Sequence, residues 1–378
     1  MHMKHLCTLL LATRASGALH ELIVGTFGTA ALYTLGFDDE TEQLTLLKNT
    51  TTHVASSWIA LSHNKKSLYG TQFGSFAGGS PSFVSYRVVD GTHLVPNNKT
   101  LTLGGECTNS TANAIFVVAD EIPPYAVYGV PFGSNANCGA VMSVDDTGAL
   151  DQVIQNYTYG SGSAVHGLAF SSDGSYLFSA DDSGNQLWTH RINRPSGNLT
   201  LVASIYGPES GSNPRHVATH PAGEYLYAVL EESNEIGQYW IEVTGQLRWQ
   251  NVSFGLIPST VNGSQYWSDE VALSKSSNFL WATARSRSTS STGYISAFNL
   301  TADGAIDQQL FLLPTTTSGG AANAVAPSGF SDEYVALTDS SVGFVEIWKL
   351  AENRSAAIVV SHLDLKDGGC CANAVWYS

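Results

Sequence analysis

Four side chains in this chain could act together on a small molecule: His166, Arg215, Glu231 and Arg285. They fall at similar points of successive copies of a repeated unit, His166 and Arg215 at the heads of first strands, Glu231 and Arg285 just after second strands. Two guanidiniums give fixed forks for a carboxylate, an enolate or a tropolone-like oxygen. A histidine and a glutamate beside them can move protons near neutral pH. The competing reading is structural, because channel linings carry polar residues bound to buried water and backbone. Asp181, Asp182, Asp339 and His220 fit that plainer reading, as turn and hairpin residues that cap strands. Tyr266 and Trp267 read as a loop pair that covers the pocket and touches substrate. No Gly-X-Ser-X-Gly elbow, Walker loop, dinucleotide fingerprint or His-Glu-X-X-His occurs. The pairs Gly78-Gly79, Gly104-Gly105 and Gly319-Gly320 lead into no helical pattern that could cradle phosphate.

The elements that must position these residues are short strands. Ala164 to Arg191 contains a complete unit: an alternating strand from Val165, a turn at Ser172-Asp173-Gly174, a return at Tyr176 to Ala180, a second turn at Asp182-Ser183-Gly184, and an exit through Gln186 to Thr189. Three strands joined by polar, Gly-containing turns make a β-meander. The unit recurs from Arg215 to Val229 and from Glu270 to Thr283, with weaker copies beginning at Trp58, Ala114 and Asn323. A period of roughly 50 residues is the mark of a β-propeller. The chain finishes on a first-strand pattern, Ala372 to Tyr377, and starts on later strands, Glu21 to Thr26 and Leu32 to Leu35. Joining them completes a seventh blade and removes the exposed edges of an open array. The expectation is an all-β, seven-bladed propeller over residues 19–378, closed by pairing of its terminal strands.

A formal charge of -15 with no basic stripe argues against nucleic-acid or anionic-membrane partners and leaves a small molecule as the expected one. Residues 1–18 read as a signal peptide: Leu6 to Ala12 is an apolar run after Lys4 and His5, and Ser16-Gly17-Ala18 suits cleavage. Nothing later is long enough to span a membrane. Secretion is supported by Asn-X-Ser/Thr triplets at Asn49, Asn98, Asn109, Asn156, Asn198, Asn251, Asn262, Asn299 and Asn353, candidate carriers of N-linked glycans. Beyond Cys7 in the leader, Cys107, Cys138, Cys370 and Cys371 form an even set with three possible pairings. One of these joins Cys107 to Cys138 and the adjacent pair to each other. Their spacing fits no tetrahedral zinc site, and a secretory setting favours disulfides.

The runs PPYAVYGVPF (Pro123 to Phe132), VHGLAF with SADDSGNQLWTHR, NPRHVATHPAGEYLYAVLEESN, QQLFLLPTTTSGGAANAVAP with SDEYVALTD, and the terminal NAVWY carry a resemblance. Together they resemble the fungal carboxy-cis,cis-muconate cyclase family, within the seven-bladed lactonase propellers. The resemblance implies a cyclase that uses neither metal nor cofactor to lactonise a carboxylated muconate, with His166, Glu231, Arg215 and Arg285 as its channel residues. The chain also departs from that pattern. It reads Gly105-Glu106-Cys107-Thr108 where relatives carry a basic stretch, Ser318-Gly319-Gly320-Ala321 where a histidine is usual, and Asp120-Glu121 before the Pro-Pro pair. The family enzyme is cytosolic and its substrate highly anionic. Each lost cationic contact weakens anion binding by about 1 to 3 kcal/mol.

Three functions therefore stand as expectations. The first is a small-molecule cyclase diverted to fungal secondary metabolism, such as a hetero-Diels-Alderase joining a quinone methide to an alkene. The second is the lactonising cyclase itself, and the third a non-catalytic secreted or cell-wall glycoprotein. A fold with a site does not fix a substrate.

Overall fold

The computed structural model describes residues 17–73, 80–104, 107, 112–134, 136–317, 323–340, 342–365 and 370–378. The expected signal peptide up to Ser16, the sequon Asn109, the side chain of Asn98 and the divergent stretches at Gly105-Glu106, Thr108 and Ser318 to Ala321 lie outside these residues.

Seven four-stranded antiparallel sheets form the propeller. The first blade is built from both ends of the chain: Ala374–Trp376 pairs with Leu19–Val24, followed by Ala31–Asp38 and Gln43–Thr51. Its register sets Leu22 opposite Trp376, Ile23 opposite Val375 and Val24 opposite Ala374. Backbone bonds from Gly25 N to Asn373 O and from Ala372 N to Gly25 O, both 2.9 Å, extend that clasp. The inner strands of the other six blades begin at Ile59, Asn113, Val165, Pro214, Tyr266 and Val325.

Second strands carry almost unbroken apolar runs because a neighbouring blade covers each of their faces. Tyr176–Asp181, Tyr225–Leu230 and Phe279–Ser286 are buried along their whole length. Between the fourth and fifth blades, Phe178, Leu226 and Tyr239 share one apolar cluster. Outer strands such as Leu150–Thr158 alternate buried with exposed positions, as expected where one face meets solvent. The hairpin from first to second strand needs a left-handed residue at a fixed point. Gly174 (φ 68°) and Gly223 (φ 90°) supply it in the fourth and fifth blades, and Lys65 (φ 56°) and Ser277 (φ 60°) hold it in the second and sixth.

One irregularity recurs. The inner strands of four consecutive blades slip register near their heads: between Ala114 and Phe116, Val165 and Gly167, Pro214 and His216, and Ser268 and Val271. Such a bulge leaves an extra residue unpaired and redirects its side chain. The residues inside the slips include Ile115, His166, Arg215, Asp269 and Glu270.

Two disulfides are present, Cys107 to Cys138 across 31 residues and Cys370 to Cys371 between neighbours. They point to an oxidising folding environment. No helix among the described residues is long and apolar enough to cross a membrane.

Candidate active site

The bulges converge on a cavity of about 510 Å³ at the heads of the inner strands. Its apolar lining comes from Phe27, Trp58, Phe73, Ile115, Phe132 and Trp267. Its polar lining comes from His166, Arg215, His216, Asp269, Glu270 and Arg285, with Arg285 over the Trp267 ring and His216 against Trp58. Because a bulge turns two successive residues toward the same side, Arg215-His216 and Asp269-Glu270 all reach the cavity.

The two guanidiniums are held by carboxylates. Arg215 Nε lies 3.2 Å and Arg285 Nη2 2.8 Å from the same oxygen, Glu231 Oε1. Arg215 Nη1 pairs with Asp269 Oδ1 and also donates to the Asp269 carbonyl at 2.8 Å. Arg285 Nη1 stands 3.9 Å from Asp269 Oδ1, and the other Asp269 oxygen accepts the Asn323 N–H at 2.6 Å. Burial pushes the Asp269 carboxyl up, but Arg215, Arg285 and the Asn323 N–H outweigh it and hold Asp269 below its ordinary value. Burial alone would lower Arg285, yet Asp269 and Glu231 keep it raised and charged.

Glu231 is not a lining residue. It sits behind the arginines, so the sequence expectation of a glutamate facing substrate is replaced by one that clamps two cations. Beside it is Asp182, whose carboxyl is raised to about 9, first by burial and then by the charge and hydrogen bond of Glu231. Sequence reading took Asp182 for a turn residue. Its signal is positional: Asp182 and Glu231 directly follow the second strands of their blades, and Arg285 lies near the end of the next one, paired with Trp267. Asp181, by contrast, does serve the turn, accepting from Ala164 N, Gly184 N and Trp188 Nε1 at 2.8 to 2.9 Å.

His166 Nδ1 lies 2.9 Å from His216 Nε2, and His216 Nδ1 lies 2.8 Å from Glu270 Oε2. Arg215 Nη1, which can only donate, bonds His216 Nδ1 at 3.3 Å, so His216 Nε2–H donates to His166 Nδ1 and the His166 proton sits on Nε2. Burial, then Arg215, His216 and Arg285, push His166 well below its ordinary value, so it stays neutral where an ordinary histidine titrates. Trp58 and Phe116 hold the His216 ring at centroid distances of 4.9 and 5.4 Å. His216, Asp269 and Glu270 do not stand out in the sequence, because only the bulges bring them inward.

Tyr266 and Trp267 head the inner strand Tyr266–Leu273 and are not in a loop, which corrects that expectation. Trp267 lines the cavity, with Arg287 stacked on it at 3.9 Å and its Nε1 donating to Glu232 at 2.7 Å. Tyr266 is buried away from the cavity against Tyr294. Among the described residues, no group of three His, Cys, Asp or Glu side chains is arranged to hold a metal ion.

A closed seven-bladed propeller with a half-apolar, half-ionic axial cavity belongs to a recognisable class. Residues 21–310 match the family described as Lactonase, 7-bladed beta-propeller, and the chain belongs to that family. It is 37% identical over 375 residues to a Neurospora crassa protein named carboxy-cis,cis-muconate cyclase, covering 95% of this chain and 99% of the relative. It is 26% identical to muconate cycloisomerase 1 of Cutaneotrichosporon cutaneum, over 90% and 93% of the two chains. The periplasmic gluconolactonase of Pseudomonas aeruginosa shares the fold, with a TM-score of 0.79 at 17% identity over 95% and 99% of the two chains.

Proposed function

We propose that this chain is a cyclase that closes a ring in a conjugated, largely apolar small molecule bearing one anionic oxygen. The observation that carries this reading is the pairing of both guanidiniums with Glu231 and Asp269 in a cavity whose remaining lining is largely aromatic. Arginines already matched by carboxylates give little net attraction for a tricarboxylate, yet their N–H forks still stabilise one oxygen on which charge grows. Arg215 and Arg285 take that oxygen, Glu231 positions them, and His166 moves the proton. Trp267 and the apolar lining hold the hydrocarbon.

The form of this chemistry that suits the cavity best is dehydration of a hydroxymethyl phenol or tropolone to a quinone methide, followed by hetero-Diels-Alder addition to an alkene in fungal secondary metabolism. Lactonisation of 3-carboxy-cis,cis-muconate is the second reading, favoured by the 37% identity to the Neurospora crassa protein of that name. The two are separated by kcat/KM for each substrate class. Preferential turnover of the neutral precursor supports the first reading; preference for carboxymuconate transfers the conclusion to the second; no turnover of either removes both.

We further infer passage through the secretory pathway. It is supported by the disulfides and by exposed side chains at Asn49, Asn156, Asn251, Asn262 and Asn353. Asn198 and Asn299 are half-buried and poorer glycan carriers.

A further inference from the structure

We propose that Glu270 and His216 form a proton relay that loads His166 from the mouth of the channel opposite the substrate cavity. This rests on the reading of His166 as the proton-transfer group and names where its proton comes from.

A second cavity, of about 460 Å³, lies toward the far ends of the inner strands, between residues such as Ala60, Val118, Ala272, Ala326 and Val375. It meets the substrate cavity at Trp58, Glu270, Ala324 and Asn373, which line both. Glu270 is the single ionisable side chain among the described residues that line the second cavity. The same carboxylate ends the chain of contacts from His166 through His216, at 2.9 and 2.8 Å. A structural role would require only that Glu270 orient His216; it would not require that Glu270 also face an apolar cavity on the far side.

The groups around Glu270 define what can move. From the fifth blade it faces His216, with Arg215 behind; on its own strand are Asp269 and the Val271 N–H, which bonds Glu270 Oε1 at 3.1 Å. From the closing segment comes Asn373, whose side-chain amide is engaged by the Ile59 backbone. The guanidiniums near His166 disfavour an imidazolium. A proton therefore crosses by exchange of tautomers. Solvent at the second mouth protonates Glu270. The Glu270 proton passes to His216 Nδ1, the His216 Nε2 proton to His166 Nδ1, and the His166 Nε2 proton to substrate. Three bonds to hydrogen break and three form, no electrons are transferred, and Glu270 is left ionised. Dehydration of a bound phenolate uses that proton on its departing hydroxyl, which leaves as water. Lactonisation uses it on the enolate carbon, so each reaction consumes one proton.

The test begins without substrate. In protein labelled with 15N-histidine, the His166 and His216 tautomers are followed against pH in the wild type and in Glu270→Gln. A relay predicts that both rings change tautomer together with pH, and that Glu270→Gln abolishes the change. Tautomers that are invariant with pH, or that still switch in Glu270→Gln, overturn it. Turnover is then measured in Ala272→Phe, which fills the second cavity from a position that does not line the substrate cavity. The expected result is a kcat lowered roughly tenfold or more at unchanged KM, with a larger solvent isotope effect; unchanged kcat in a folded variant refutes entry from that mouth. If the tautomers couple but neither substrate class turns over, the reaction assignment fails while the relay stands.

Discussion

Gly167 is the reason His216 can reach His166. A Cβ on Gly167 would lie 2.7 Å from His216 Cδ2 and 2.6 Å from the Arg215 carbonyl, distances that ordinary packing does not allow. The fourth blade omits a side chain at the place where the fifth carries an imidazole, and the two inner strands close together there.

Replacing Gly167 with alanine should therefore strike the site before the fold. Overpacking at such a point costs about 1 to 3 kcal/mol. The expected outcome is a Tm lowered by several degrees and a disproportionate fall in kcat, because the His166 to His216 contact is spread apart. A variant with wild-type kcat would show that this contact is not used.

Arg215→Ala and Arg285→Ala should each reduce turnover about a hundredfold or more, near 3 kcal/mol, with an unchanged far-ultraviolet spectrum. Glu231→Gln should act in another direction. Losing one negative charge beside both guanidiniums strengthens their pull on polyanions, so kcat/KM for 3-carboxy-cis,cis-muconate should rise relative to a neutral substrate, by roughly tenfold. An unchanged preference would show that charge compensation does not set selectivity.

Asp182 gives a prediction in pH. Its folded-state value, about 9, lies above the ordinary aspartate value of 3.8, so the folded chain holds a proton that the unfolded chain has released. Its contribution to stability is fully present below the unfolded value and is lost as pH rises through about 9. Thermal unfolding of the wild type should weaken from neutrality toward pH 9, and Asp182→Asn should flatten that slope. The opposite slope, or none removed by the substitution, would contradict a protonated Asp182 beside Glu231.

The disulfide between Cys107 and Cys138 closes a 31-residue loop, for which chain entropy gives about 3 to 4 kcal/mol. The double substitution to serine should remove about that much in denaturant unfolding. Thiol titration of the denatured, unreduced protein should find none of Cys107, Cys138, Cys370 or Cys371 free.

The propeller was legible because each blade repeats the same compromise between buried second strands and polar hairpins, and because the two incomplete ends complement each other. His166, Arg215 and Arg285 could be found for the same reason, as polar residues at repeated positions. Glu231 was found but placed on the wrong side of the arginines, since spacing does not say which side chains stand in front. His216, Asp269 and Glu270 stayed hidden: strict alternation sends every second residue of a strand away from the channel, and only a bulge reverses that. Tyr266 and Trp267 were taken for a loop because their strand begins earlier than its apolar run.

Asn373 joins the ring closure to the cavity. Its side chain bonds both the N–H and the carbonyl of Ile59, at 2.9 and 3.1 Å, while its residue lines both axial spaces. Its backbone carbonyl accepts the Gly25 N–H. During synthesis six blades can emerge from the ribosome and pack in order, but the axial cavity has an open side until this asparagine follows them out. The growing chain thus carries its arginines and histidines for most of its translation without a finished place to use them, and competence arrives in one late step with the last strand.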